Sequence, residues 1–186
     1  MRTQIEDAGI AHTAEGNLNL RSVDAGDFPL LFALRRDREL QSLLLTVPDG
    51  TTDDDLEAWV DRRKSQPGEA FLVIEDGASR RAVGYVQVSQ VHRKNGTGYG
   101  GIVLAAHARG RGLGQSALRQ LMSFSRIQLG LRKLLAEIRV DNHPSMKLHL
   151  GLGYRIVGTM EKHFVDAEGH QHDVALLEHV LSEVGS

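Results

Sequence analysis

The stretch Ile102 to Ala117, I-V-L-A-A-H-A-R-G-R-G-L-G-Q-S-A, decides how the rest of the chain is read. An apolar run with the character of a strand ends in a turn crowded with arginine and glycine. An amphipathic pattern follows at once, with Leu113, Ala117, Leu118, Leu121 and Met122 at helical spacing. A strand therefore delivers the chain to the N-terminus of a helix. There the amides of Gly110, Arg111, Gly112, Leu113 and Gly114 have no carbonyl one turn back, and the helix dipole adds partial positive charge, so an anion is the natural occupant. Glycine at 110, 112 and 114 lets the backbone approach that anion, and the guanidinium groups of Arg109 and Arg111 suit phosphate. The turn reads as a pyrophosphate cradle.

Toward the N-terminus, Asn95-Gly96 is a strong hairpin signal joining a strand through Tyr99 and Leu104 to one over Ala82 to Val91. Phe71 to Glu75 pairs with the latter across the turn at Asp76 and Gly77. Thr52 and Asp55 form a capping-box-like start for a helix carrying Leu56, Trp59 and Val60 to about Lys64. Leu40 to Val47 suits either a helix end or a loop. Asp24 caps an earlier helix with Pro29 in its first turn, Asn17 to Val23 suits a first strand, and Met1 to Gly16 is a polar, aperiodic N-terminal extension.

Toward the C-terminus, Gly130 closes the central helix, and Lys133 to Val140 is a strand that the intervening helix places parallel to the cradle strand. Asp141 and Asn142 cap a short helix with Pro144 in its first turn, ended by Gly151 and Gly153. Tyr154 to Val165 and Asp173 to Val180 form a hairpin around Asp166-Ala-Glu-Gly169. No repeat or linker splits this order, which predicts one α+β domain over residues 17–186 with a mixed, mostly antiparallel sheet.

Composition removes several classes of function. With 186 residues, 41% of them hydrophobic, the chain can bury one full core. A formal net charge of -2 leaves no basic footprint for nucleic acid. The absence of cysteine excludes disulfides, thiolate metal sites and a cysteine nucleophile, and fits a cytoplasmic setting. No apolar run reaches the roughly 20 residues of a membrane span, and an N-terminus with Glu6 and Asp7 does not read as a signal peptide.

The residues resemble a family at this point. Arg109-Gly-Arg-Gly-Leu-Gly114 fits the R/Q-x-x-G-x-G/A signature of the GNAT superfamily of N-acetyltransferases. Asn142 to Tyr154, N-H-P-S-M-K-L-H-L-G-L-G-Y, is similar to its second signature, N-x-x-S-x-x-L-Y-x-x-x-G-F/Y, at the expected separation. The resemblance covers about Leu18 to Val180, and its closing stretch is similar to the branch acting on ribosomal-protein N-termini, polyamines and nucleotide-linked amino sugars. It implies an acetyltransferase domain whose central parallel strands splay apart, flanked by helices. It also implies acetyl-CoA as cosubstrate, with its pantetheine arm along Val103 and Leu104 and its diphosphate on Arg109 to Gly114. Gly98, Gly100 and Gly101 suit a strand that bends to admit a ligand.

The chemistry follows from the acceptor. An amine is mostly ammonium at neutral pH, so direct attack on the thioester needs a proton acceptor, and the departing thiolate benefits from a donor. The resemblance puts Glu137 in the place of the base and His149 where the family carries a tyrosine acid; imidazole makes such a donor more sensitive to pH. A second common base position falls at Tyr99. Alternation with Ala136 and Ile138 leaves the face of Glu137 open. Asn142, Ser145 and His149 share a helix face, expected to look into the cofactor cleft. His163, His170 and His172 are read as surface or substrate-pocket residues in preference to a zinc site.

A small-molecule primary amine, on a polyamine or an amino sugar, is the expected acceptor, with Asp49, Asp53, Asp54 and Asp55 as an acidic cluster able to attract it. The alternatives are a protein N-terminal acetyltransferase and a CoA-binding module without catalysis. A dinucleotide fingerprint, Gly112-x-Gly114-x-x-Ala117, competes on the glycines alone, but the antiparallel hairpins before it do not fit a double-wound sheet. The resemblance allows a homodimer.

Overall fold

The computed structural model describes residues 18–181, so the expected N-terminal extension lies outside the described residues. Strands β1 (Leu18–Ser22), β2 (Ala70–Asp76), β3 (Ala82–His92), β4 (Thr97–Leu104), β5 (Lys133–Arg139), β6 (Arg155–Val165) and β7 (Gln171–Val180) form one seven-stranded sheet in the order β1-β2-β3-β4-β5-β7-β6. Every neighbouring pair is antiparallel except β4 and β5. Helices α1 (Phe28–Arg36), α2 (Arg38–Leu43) and α3 (Asp53–Ser65) precede β2; α4 (Leu113–Ile127) and α5 (His143–Gly151) flank β5 in sequence. The single-domain α+β architecture expected from the element order is the one found.

Local chemistry sets the element ends. Asp24 caps a 3-10 turn, Ala25–Asp27, that leads into α1; Arg21 then clamps Asp27 at 2.7 and 2.8 Å and reaches Glu75 at 2.7 Å, tying β1, this turn and β2 together. Leu40 to Val47 resolves as the end of α2 and a loop, because Asp37 accepts a hydrogen bond from the Leu40 amide and starts a new helix. Thr52 and Asp55 make the expected reciprocal capping box on α3. Gly96, Gly130 and Gly153 take φ of +61°, +66° and +87°, the left-handed geometry of the hairpin and the two helix ends.

Two cores lie on opposite faces of the sheet. On one, Trp59, Phe71 and Tyr85 form an aromatic cluster with centroids 4.9 to 6.1 Å apart, covered by Leu31, Leu56 and Val60 from α1 and α3. On the other, Ala117, Leu118 and Leu121 of α4 pack against Val86, Leu134, Ala136 and Ile138. Among the described residues no helix is long and apolar enough to cross a membrane.

Candidate active site

β4 and β5 share three ladder positions, Thr97 with Lys133, Gly98 with Leu134 and Tyr99 with Leu135. Beyond them each strand stays bound to its outer neighbour, β4 to β3 as far as Leu104 and β5 to β7 as far as Arg139. The sheet opens there as a wedge, and backbone groups of Gly100 to Leu104 facing β5 are left for another partner. A cleft of about 1720 Å³ runs through the wedge from α2 to the glycine turn.

The turn has the geometry an anion requires. Gly110 and Gly112 lie at φ +73° and +78°, and a Cβ on either would meet nothing within 4 Å. Gly112 is the N-cap of α4 and offers no side chain to its first-turn amides. Gly114 has a different reason to be glycine: a Cβ there would come within 3.3 Å of Leu148 and 3.5 Å of Leu104, so it allows α4 to close on β4 and α5. The two arginines divide. Arg109 lines the cleft and donates Nε–H to the Leu104 carbonyl at 3.0 Å. Arg111 turns away, its Nη2 2.8 Å from Asp76, whose carboxyl is held below the usual range by the amides of Ser79 and Ala78 and by Arg111 itself. Leu113 is a core residue, and Val103 is buried with its backbone on the wedge.

Register settles the face of Glu137. Ala136 and Ile138 belong to the α4-side core, so Glu137 points the other way, exposed in the cleft on the face shared by Leu135 and Tyr99. Burial and the neighbouring Glu137 charge both raise the Tyr99 phenol, keeping it protonated at neutral pH.

His149 stands differently from the expected proton donor. It is 3% exposed, its Nδ1 lies 2.9 Å from the Ser145 carbonyl, and its ring meets Tyr154 edge-on at 5.0 Å. An Nδ1–H donated to that carbonyl leaves Nε2 as the acceptor nitrogen. Burial lowers the imidazole pKa, and the Ser145 bond offsets this only in part. The resting ring is neutral. Asn142 caps α5 by accepting from the Ser145 amide at 3.3 Å, and Ser145 Oγ lies 3.4 Å from His149 Nδ1. All three line the cleft, as the shared helix face leads one to expect.

His170 and His172 line the same cleft beside Asp166, as a substrate-pocket reading leads one to expect. His172 Nε2 and His170 Nδ1 lie 2.8 and 3.3 Å from Asp166, which they and the amides of His170 and Glu168 hold well below the usual carboxylate range. His163 is exposed on β6, and among the described residues no group of three metal-ligating side chains is assembled. Two of the acidic cluster are spent on helix α3: Asp55 completes the capping box with Thr52, and Asp53 pairs with Arg36. None of Asp49, Asp53, Asp54 and Asp55 lines the cleft.

Sequence reading passed over the far wall. Arg35, Gln41, Tyr85 and Arg63 line the cleft on the Glu137 side, and Arg139, 9% exposed, grips Asp141 and donates to Ser42 Oγ, joining β5 to α2. Nothing local marks them, since α1, α2 and β3 meet only in the folded sheet.

The family profile of the acetyltransferase (GNAT) domain matches residues 17–155, and the chain belongs to that family. It is an N-acetyltransferase, of a family that takes its acetyl group from acetyl-CoA. Among its relatives are an uncharacterized SPbeta prophage-derived N-acetyltransferase of Bacillus subtilis, 25% identical over 147 residues, or 78% of this chain and 80% of that one. The L-methionine sulfoximine/L-methionine sulfone acetyltransferase of Pseudomonas aeruginosa is 28% identical over 145 residues, 76% of this chain and 83% of that one. In fold the chain is similar to the Vibrio cholerae spermidine N-acetyltransferase crystallised with CoA and spermine, with a TM-score of 0.81, 22% identity, and coverage of 89% of this chain and 96% of the other.

Proposed function

We propose that the chain moves an acetyl group from acetyl-CoA to the primary amine of a small molecule by direct attack of the amine, with Glu137 accepting the amine's proton. The observation that carries this is the wedge, which admits an extended thioester beside a strand and exposes one carboxylate in the same opening. Acetyl-CoA supplies the activated acetyl group. The uncapped amides of the turn and the open-faced Gly110 and Gly112 fit its diphosphate, and the free backbone near Val103 and Leu104 fits its amide-bearing arm. Asn142 and Ser145 order α5 along one wall. Arg109 holds the end of β4 and adds a positive charge at the turn.

Glu137 faces the acceptor side and is open to solvent, so it can take a proton directly or through one water. A proton supplied to the thiolate by His149 needs the imidazolium, the form that burial disfavours; the neutral ring gives the thiolate end a shielded wall. The relatives named for spermidine and for L-methionine sulfoximine both act on small amines, which supports this acceptor class over a protein N-terminus. The edge strand β6, with Ile156, Val157 and Val165 exposed, supports pairing with a second copy, and a dodecameric structure is known for the Vibrio cholerae enzyme.

Free-thiol release from acetyl-CoA across an amine panel tests the assignment. Glu137→Gln is expected to lower kcat by about 10²-fold with little change in KM for acetyl-CoA. An unchanged kcat removes Glu137 as the base.

A further inference from the structure

The acceptor side of the cleft holds a cation that the chain leaves without a counter-charge. Arg35, near the end of α1, is half-buried with its guanidinium carbon 5.1 Å from the centroid of the Trp59 ring. Its Nη1 donates to Oε1 of Gln41 at 2.7 Å. Gln41 is 1% exposed, and its own amide nitrogen donates to the Leu34 carbonyl at 2.9 Å, so the oxygen offered to Arg35 is fixed and neutral. Among the described residues no carboxylate pairs with Arg35; Asp49 acts on it only through space.

The other arginines along this side are matched. Arg38 meets Glu168, Arg139 meets Asp141, and Arg63 has Glu69 at 3.9 Å and Oε1 of the Gln87 side chain as a second partner. A guanidinium carries five N–H donors; Gln41 takes one, the Trp59 ring covers one face, and the remaining donors, none of them buried without a partner, open on the cleft. Cation–π attraction to Trp59 and the fixed Gln41 oxygen hold the guanidinium in place. Arg35 lines the cleft on the α1–α3 face of the sheet, the face on which Glu137 is exposed, while the glycine turn opens the N-terminus of α4, which packs on the other. An anion bound at Arg35 would therefore come with the acceptor and not with the diphosphate.

We propose that the acceptor carries a carboxylate as well as its amine, the carboxylate seated on Arg35 and the amine presented to Glu137: an amino-acid-like zwitterion in place of a polycation. A polyamine would place further positive charge beside Arg35 and Arg63; of the carboxylates lining the cleft, Glu69, Asp141, Asp166 and Glu168 already have arginine or histidine partners. The proposal rests on the amine-acetylation reading and narrows its acceptor.

The test compares each common L-α-amino acid with its own carboxamide, and with spermidine, in the thiol-release assay. For the best acceptor, kcat/KM with the carboxylate is expected to exceed that with the carboxamide by about tenfold or more, expressed in KM. Arg35→Gln should bring the two within about threefold of each other, and Arg35→Lys should keep part of the preference. Thermal protection of the CoA-loaded wild type by the amino acid and not by its carboxamide gives the same answer without a variant that has to fold. Equal use of both acceptors, a preference for spermidine, or a preference that survives Arg35→Gln overturns the proposal. No thiol release with any amine of the wider panel overturns the acetylation reading itself, and this inference with it.

Discussion

Glu137 owes its place in the cleft to a period of two. Its neighbours on either side enter the core beneath α4, so the carboxylate has to face the opening. His149 shows the reverse case, a polar ring drawn into the protein by its helix. Its folded pKa lies below the unfolded value of 6.5, so the stability tied to its neutral form is full above that value and is lost as pH falls toward the depressed one. Between pH 7.5 and 5.5 the wild type is expected to lose more in Tm than His149→Phe does; parallel slopes would show that the ring is not held neutral. At this scale the sequence was partly legible. The second signature marked Asn142, Ser145 and His149, and the structure puts all three on the cleft wall. The same spacing could not show that Arg111 turns to Asp76, a partner 35 residues earlier on a different strand. Nor could it single out Arg35, whose meaning depends on the carboxylates that fail to reach it.

Elements carry the geometry that single residues exploit. The turn before α4 stays open because two glycines hold left-handed φ with nothing where a side chain would stand. Gly112→Ala should cost about 1–2 kcal/mol of stability from the backbone alone and raise KM for acetyl-CoA, read by thermal melts and initial rates. An unchanged KM would show that this turn does not hold the diphosphate. Gly84 does separate work in β3: a Cβ there would lie 2.0 Å from the Val103 carbonyl oxygen of β4. Gly84→Ala is expected to destabilise the fold by about 3 kcal/mol and to disturb the strand along which the cosubstrate is proposed to lie. Most element types were legible, because hairpin signals, caps and helical spacing are local. The break at Asp37 between α1 and α2 was not foreseen, since one carboxylate accepting from one amide decides it. The glycine at 114 was legible as glycine but not for its reason, which is contact with Leu148 of α5.

At the scale of the whole molecule the site exists because two strands are gripped from outside. β3 holds β4 and β7 holds β5 along their lengths, while the seam between them closes for three residue pairs only. The parallel relation of those strands could be read from the helix between them. The length of their shared ladder could not, because it is set by how the outer pairs twist apart. A ligand that fills such a wedge binds only the folded state, so acetyl-CoA at about a hundredfold above its Kd should add about 2.7 kcal/mol to stability. The most direct measurement is a crystal structure of the chain grown with acetyl-CoA. The account requires the diphosphate to lie within hydrogen-bonding distance of the amides from Gly110 to Gly114, with the arm running beside Gly100 to Leu104 and the thioester opening toward Glu137. A cosubstrate bound elsewhere, or β4 and β5 paired along their full length in its presence, would contradict it.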